Sequence, residues 1–208
     1  MKWYQYDIRE LTSEEYDFWY LQMQREKQRR IDRFRFAEDR CRSVAGDMLA
    51  RKAIAEWCNI PISRIILSAA SGGKPYVPGL AVDFSISHCG NMVVCAVDDR
   101  PIGIDIEKIR PLDLSAARHI CTAQELAYLF DHTPAESEFA YTENRNLLKR
   151  FFVLWTSKEA AGKQSGVVDM RREIINDPIS IHCIQDYVIA ISQQASSTGS
   201  ISKEGWKL

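Results

Sequence analysis

The sequence predicts an α+β fold built from two similar halves. Three observations carry that expectation: short strand pairs rich in β-branched residues, long helical segments with one apolar face, and an echo between the middle and the end of the chain. The strand pairs are residues 83–88 with 92–97 and residues 179–184 with 187–191, each following a long helical segment. The echo is SISHCGNMVVCAV against SIHCIQDYVIAI, which align with one gap. Two short β-branched hairpins also look alike without common origin, so these letters alone leave duplication open. A true repeat would divide the chain into residues 1–104 and 105–208 and would place a ligand in the cleft between them.

Taken in order, the first ten residues alternate loosely and predict a strand. Thr12-Ser13-Glu14-Glu15 then offers a helix start, because a Ser or Thr oxygen accepts from the exposed amides of a first turn, and the helix should run to about Arg30. Asp39 is the expected cap of a second helix, in which Cys41, Val44, Ala45, Met48 and Leu49 recur at helical spacing and Asn59-Ile60-Pro61 supplies the stop. Ser71-Gly72-Gly73-Lys74-Pro75 reads as a turn, and Cys89-Gly90-Asn91 as the link of the first hairpin. A strand at 102–107 follows. After Pro111 the pattern predicts a helix from Leu114 to about Phe130, a mobile polar loop over 131–146, and a helix from Leu147 to about Gln164. The second hairpin comes next, and a Ser/Gly-rich tail from Ser192 is expected to be poorly ordered.

Hydrophobic residues make up 46% of the chain and charged residues 26%, with a net charge of -1, the profile of an ordinary soluble domain rather than of a broad nucleic-acid-binding surface. The N-terminal MKWYQYDIRE resembles neither a signal nor a transit peptide, and no stretch approaches ~18 consecutive apolar residues, so the expectation is a cytoplasmic protein without a membrane partner. Six cysteines, Cys41, Cys58, Cys89, Cys95, Cys121 and Cys183, form no C-x-x-C pair and no zinc-finger spacing; they read as reduced, mostly buried thiols without a metal role. Positive charge is concentrated over residues 25–52, with ten Lys/Arg against five Asp/Glu, which points to an anionic partner.

Four short segments suggest chemistry. In GIDIE, period-two alternation sets Asp105 and Glu107 on one strand face and Ile104 and Ile106 on the other, enough carboxylate for the protein's share of a Mg²⁺ site, although a solvated strand face has the same pattern. In FFVLWTSKEAAGK, Glu159 and Lys163 lie one turn apart at the margin of a face carrying Leu147, Leu148, Phe151, Leu154 and Trp155; the ordinary meaning of such spacing is a surface pair of ~0.3–0.5 kcal/mol. Lys158 falls close to the apolar stripe, which calls for snorkelling or a ligand. Ser87 and His88 end a strand before a turn, where hydroxyl and imidazole can face a phosphate or serve structure alone. Lys74 follows two glycines, yet Pro75 stands where a phosphate-binding P-loop needs Ser or Thr, so no such loop exists here.

The order GKPY, FSISH, GIDIE and LWTSKEAAGK resembles the surfactin-type 4′-phosphopantetheinyl transferases from about Lys27 to Gly166. The resemblance implies a monomer of two similar α+β halves with coenzyme A and Mg²⁺ between them, Mn²⁺ being a possible substitute. It implies transfer of the phosphopantetheine arm onto a serine of an apo carrier protein (acyl, peptidyl or aryl), releasing 3′,5′-ADP, and no nucleic-acid partner. By position, Asp105, Glu107 and Glu159 match the metal-binding acids, Lys163 the pyrophosphate lysine, and Ser87 and His88 the phosphate-contacting pair. Lys74 and Pro75 match the segment beside the adenine, and Lys27, Arg30 and Ser43 fall at the 3′-phosphate site. Glu159, Lys163 and His88 are the implied catalytic residues. Two departures stand out: Gly72 replaces an aromatic of some relatives, with Gly73 just before Lys74, and Gly162 costs its helix ~1 kcal/mol against Ala. The alternatives are a non-catalytic nucleotide- or RNA-binding protein using residues 25–52, which leaves the three acids without a role, and a catalytically silent carrier-docking module of the same fold.

Overall fold

A computed structural model describes residues 1–69, 74–167, 169–172, 174 and 178–194. The first half comprises β1 (Lys2–Asp7), α1 (Ser13–Leu21), α2 (Arg25–Asp32), α3 (Ala37–Cys58), the two-residue strands β2 (Ser68–Ala69) and β3 (Pro75–Tyr76), β4 (Asp83–Cys89) and β5 (Met92–Asp98). The second comprises β6 (Ile102–Lys108), β7 (Leu112–Asp113), α4 (Ala117–Ile120), α5 (Ala123–Phe130), β8 (Tyr141–Thr142), α6 (Arg145–Ser165), β9 (Ile179–Ile184) and β10 (Tyr187–Gln193). Each half has an antiparallel three-stranded sheet with the same topology: order β1-β5-β4 in one and β6-β10-β9 in the other. In both, the second strand of a hairpin is central, an earlier strand lies outside it, and a long helix intervenes in sequence. The expected α+β architecture of two similar halves is what the chain adopts.

Alternation along the strands explains how the halves join. Val93, Cys95 and Val97 of β5 pack with Ala45, Leu49, Ala53 and Ile54 of α3, while Val94 and Ala96 on the opposite face meet Ile104, Ile106, Ile189 and Ile191 of the second sheet. Phe151, Leu154, Ala160 and Ala161 of α6 close the second sheet over Val188 and Ala190. With Ile102, Ile104 and Ile106 in the core between the sheets, period two leaves Gly103, Asp105 and Glu107 for the other face of β6.

Several boundaries differ from the sequence expectation, each for a local reason. The helix expected from residue 12 to 30 is two helices, because the corner at Gln22–Met23–Gln24 lets Met23 and Ile31 both reach Val44 in one small core. The second helix starts at Ala37 rather than beyond Asp39; Asp39 sits in its first turn and accepts from Arg42 at 2.5 Å. Its end is as expected, with Asn59 left-handed at φ 51°. The helix expected from Leu114 to Phe130 breaks at Cys121, and Thr122 and Glu125 form a capping box that starts a new one. Within the polar stretch 131–146, β8 pairs with β7. Ser192 and Gln193, expected in the tail, continue β10 beside Gly103 and Ile102. Gly72, Gly73 and residues 195–208 lie outside the described residues. The thiols are all unpaired, but only Cys95 is buried; Cys183 is exposed and the other four are half-buried. Among the described residues no helix is long and apolar enough to cross a membrane.

Candidate active site

The site forms where β4, β6 and α6 converge, and a glycine permits the convergence. A Cβ on Gly103 would lie 1.9 Å from the carbonyl oxygen of Ala160, so only glycine lets β6 approach α6 this closely. That approach brings Asp105 and Glu107 of β6 to Glu159 and Lys163 of α6. Sequence reasoning passed over Gly103, although a glycine inside a strand is a recognised sign of close backbone approach.

Asp105 is the centre of the cluster and is buried. Its Oδ1 accepts from Lys163 Nζ at 2.7 Å and from Ser87 Oγ at 2.6 Å, and Lys163 also donates to Ser87 Oγ at 2.9 Å. Residues from three elements of both halves are thus tied at one oxygen. The other oxygen, Oδ2, is buried and meets no hydrogen-bond partner among the described residues. Burial of an unpaired carboxylate oxygen is costly, and such an atom marks a position completed by something else.

The neighbouring groups feel the crowding of charge. Burial, followed by Asp105, raises the pKa of the Glu159 carboxyl above the usual range, Lys163 opposing and Glu107 adding to the shift. Glu107 Oε2 accepts from Cys89 Sγ at 3.3 Å, and burial together with Glu107 pushes that thiol up to about 11. His88 opens onto the cleft; loss of solvation there, then Arg42, holds its imidazole below the ordinary value, with Lys163 acting the same way. Among the described residues, no three His, Cys, Asp or Glu side chains are already gathered at metal-ligand distance.

Two adjoining cavities open from this cluster. One, of about 330 Å³, is lined by Lys27, Ser43, Pro75, Ser87, His88 and Lys163, among others. The next, of about 440 Å³, carries Lys27, Arg30, Asp47, Arg51 and Pro75. Together they make a cleft with cations at both ends, a shape suited to a long ligand bearing several anionic groups. Of the sequence-derived candidates, Lys27, Arg30, Ser43, Pro75, Ser87, His88 and Lys163 line it, and Asp105 is bonded directly to two of them. Lys74 is in neither lining, because its Nζ is held by Asp83 at 2.6 Å and by the carbonyl of Ile102 at 3.0 Å.

The structure corrects two readings of α6. Lys163 bonds across to β6 rather than forming the surface pair with Glu159 that the spacing allows. Lys158 neither snorkels nor faces a ligand: it is sealed in an ion pair with Glu125 at 2.8 Å and donates to the carbonyl of Arg172. Asp47 and Arg51, which also line the cleft, were missed; their i, i+4 spacing was the available signal.

The family described as 4′-phosphopantetheinyl transferase, N-terminal, matches residues 10–100, and the 4′-phosphopantetheinyl transferase superfamily matches residues 101–203. The chain is 41% identical over 142 residues to 4′-phosphopantetheinyl transferase psf-1 of Bacillus pumilus, covering 68% of this chain and 57% of that protein. It is 35% identical over 162 residues to 4′-phosphopantetheinyl transferase Sfp of Bacillus subtilis (strain 168), covering 77% and 68% respectively. An L-aminoadipate-semialdehyde dehydrogenase-phosphopantetheinyl transferase of Xenopus laevis is 33% identical over 156 residues, 70% of this chain and 50% of its own length.

Proposed function

Since this chain belongs to the 4′-phosphopantetheinyl transferase superfamily, we propose that it transfers the phosphopantetheine arm of coenzyme A to a serine of an apo carrier protein. The observation that carries the reading is the Asp105–Lys163–Ser87 cluster, with a buried oxygen that has no partner among the described residues, at the end of a cation-lined cleft.

The donor set fits a hard divalent cation. Asp105 Oδ2 lacks a partner among the described residues, and the Glu159 pKa, raised first by burial, is raised further by the Asp105 and Glu107 carboxylates, a repulsion that a cation would relieve. These three residues would hold Mg²⁺ or Mn²⁺, which when bound supplies charge neutralisation at the pyrophosphate. Lys163 and His88 donate to the pyrophosphate oxygens and stabilise the leaving charge, with the Ser87 hydroxyl beside them. Lys27, Arg30 and Ser43 take the 3′-phosphate, and Pro75 walls the adenine end of the cleft, with Lys74 fixing that wall through Asp83. The carrier serine oxygen attacks the pantetheine-side phosphorus, the bond to the bridging oxygen breaks, and 3′,5′-ADP leaves. Glu159 receives the serine proton.

The proposal extends to a cytoplasmic monomer without nucleic-acid or membrane partners; light scattering reads its mass. The activity is tested by incubating the purified chain with coenzyme A, Mg²⁺ and a panel of apo acyl, peptidyl and aryl carrier domains. A mass gain of one phosphopantetheine on at least one carrier, lost on chelation and restored by Mg²⁺ or Mn²⁺, is expected. No gain on any carrier would refute the activity, and full activity after chelation would refute the metal site.

A further inference from the structure

We infer that Arg51 and Asp47 are positioning residues that hold the cationic wall of the cleft in place; the inference rests on the reading of Lys27 and Arg30 as the 3′-phosphate site. The two side chains lie one turn apart on α3 and are 8% and 7% exposed. Arg51 Nε donates to Asp47 Oδ1 at 2.5 Å, Nη1 to the carbonyl of Ile65 at 2.6 Å, and Nη2, at 3.4 Å, to the carbonyl of Gln22. One guanidinium therefore links α3, the segment leading to β2, and the corner between α1 and α2.

That corner sets where α2 begins, and α2 has little means of fixing itself. It has eight residues, its N-terminus has no side-chain cap, and it carries Arg25, Lys27, Arg29 and Arg30 against Glu26 and Asp32. A helix this short is marginal alone, and like charges weaken it further. Its anchors are the buried Ile31, the bond from Gln28 Nε2 to the carbonyl of Tyr20 at 2.9 Å, the bond from the Tyr20 hydroxyl to Asp32 Oδ1 at 2.7 Å, and the Arg51 clamp at the corner.

Asp47 acts on the same wall through charge. It lines both cavities beside Lys27, in a cleft whose other charged lining residues are cations apart from Glu26. The charged or titratable groups around Lys27 are Glu26 and Arg30 on its own helix, Arg42, Asp47 and Arg51 on α3, His88 on β4 and Lys163 on α6. Burial lowers the Lys27 pKa; Asp47 opposes that shift, and Arg30 adds to it. An anion embedded in a polyanion site is unfavourable for the ligand unless it keeps a neighbouring cation protonated and in place, which is the role assigned to it here.

The test is direct binding of 3′,5′-ADP and of 5′-AMP, by calorimetry, to wild type, Arg51→Met, Arg51→Lys and Asp47→Asn. Wild type is expected to prefer 3′,5′-ADP. Arg51→Met should reduce that preference about tenfold, roughly the value of one charge-assisted hydrogen bond, and Asp47→Asn should reduce it chiefly where Lys27 loses its proton. Arg51→Lys, which keeps the charge but lacks the three-way fork, should resemble Arg51→Met. The preference falls as pH rises through the Lys27 pKa, and in Asp47→Asn it should fall at a lower pH than in wild type. Loss of packing alone would not move that pH. Should Arg51→Met not fold, Arg51→Lys and Asp47→Asn still decide the matter. Unchanged preference in the variants, with an unmoved pH profile, overturns the inference; a wild type that binds both nucleotides equally removes the 3′-phosphate reading beneath it.

Discussion

Two lysines on α6, five residues apart, each meet a buried carboxylate, and the two pairs end in different states. Lys158 and Glu125 are 2.8 Å apart with no exposed side-chain surface. Glu125 Oε1 also accepts from the Ile174 amide, Oε2 from the Thr122 amide, and Lys158 donates to the carbonyl of Arg172. Lys163 and Asp105 are 2.7 Å apart, but the lysine is 31% exposed to the cleft and Asp105 Oδ2 is unpartnered among the described residues. Identical chemistry thus serves two ends. Where the carboxylate's oxygens are filled by the chain itself the pair fastens structure, here α5, Arg172 and Ile174 to α6; where one is left bare the pair is ready for a ligand.

The sharpest way to separate the pairs is to break each. Glu125→Ala should cost about 3–5 kcal/mol, since Lys158 is left buried without its counter-charge, whereas Asp105→Asn should change stability by less than about 1 kcal/mol because Oδ1 can still accept its two bonds. Urea midpoints of the two variants check this, and equal losses would erase the distinction. A smaller loss, about 1–3 kcal/mol, is expected for Gly103→Ala, whose Cβ must push β6 from α6; it should lower transfer as well, by spreading the acids from Lys163.

Smallest is the effect of Glu159→Gln on stability in chelated protein. The folded-state pKa of Glu159 is raised, so folding favours its protonated form and wild type loses stability as pH rises from the ordinary carboxylate value through the raised one. The variant should therefore be more stable than wild type at neutral pH, with the difference vanishing below about pH 4. Thermal unfolding across pH reads this; a difference that grows toward acid pH would reverse the assigned sign.

The same contrast explains what the sequence made legible. Alternation in GIDIE placed Asp105 and Glu107 on one face because strand periodicity is local, and the Gly90-Asn91 turn was readable for the same reason, Gly90 having φ 56°. The partners of Lys158 and Lys163 were not readable, since Glu125 and Asp105 are 33 and 58 residues away and only the tertiary fold assigns one lysine to each. Helical periodicity likewise ran through two corners, at Met23 and Cys121, where burial of Met23 and of Glu125 outweighed continuation of the helix. The second of these had a legible sign in Thr122-x-x-Glu125, a capping box that the apolar pattern obscured.

We propose that the open carboxylate, and not the sealed one, is the seat of chemistry. This is tested most directly by kcat/KM for transfer from coenzyme A to an apo carrier, comparing Asp105→Asn with wild type at matched folded fraction. A fall of at least about a thousandfold, ~4 kcal/mol of lost transition-state stabilisation, is the predicted result; a rate within about twofold of wild type would contradict the account.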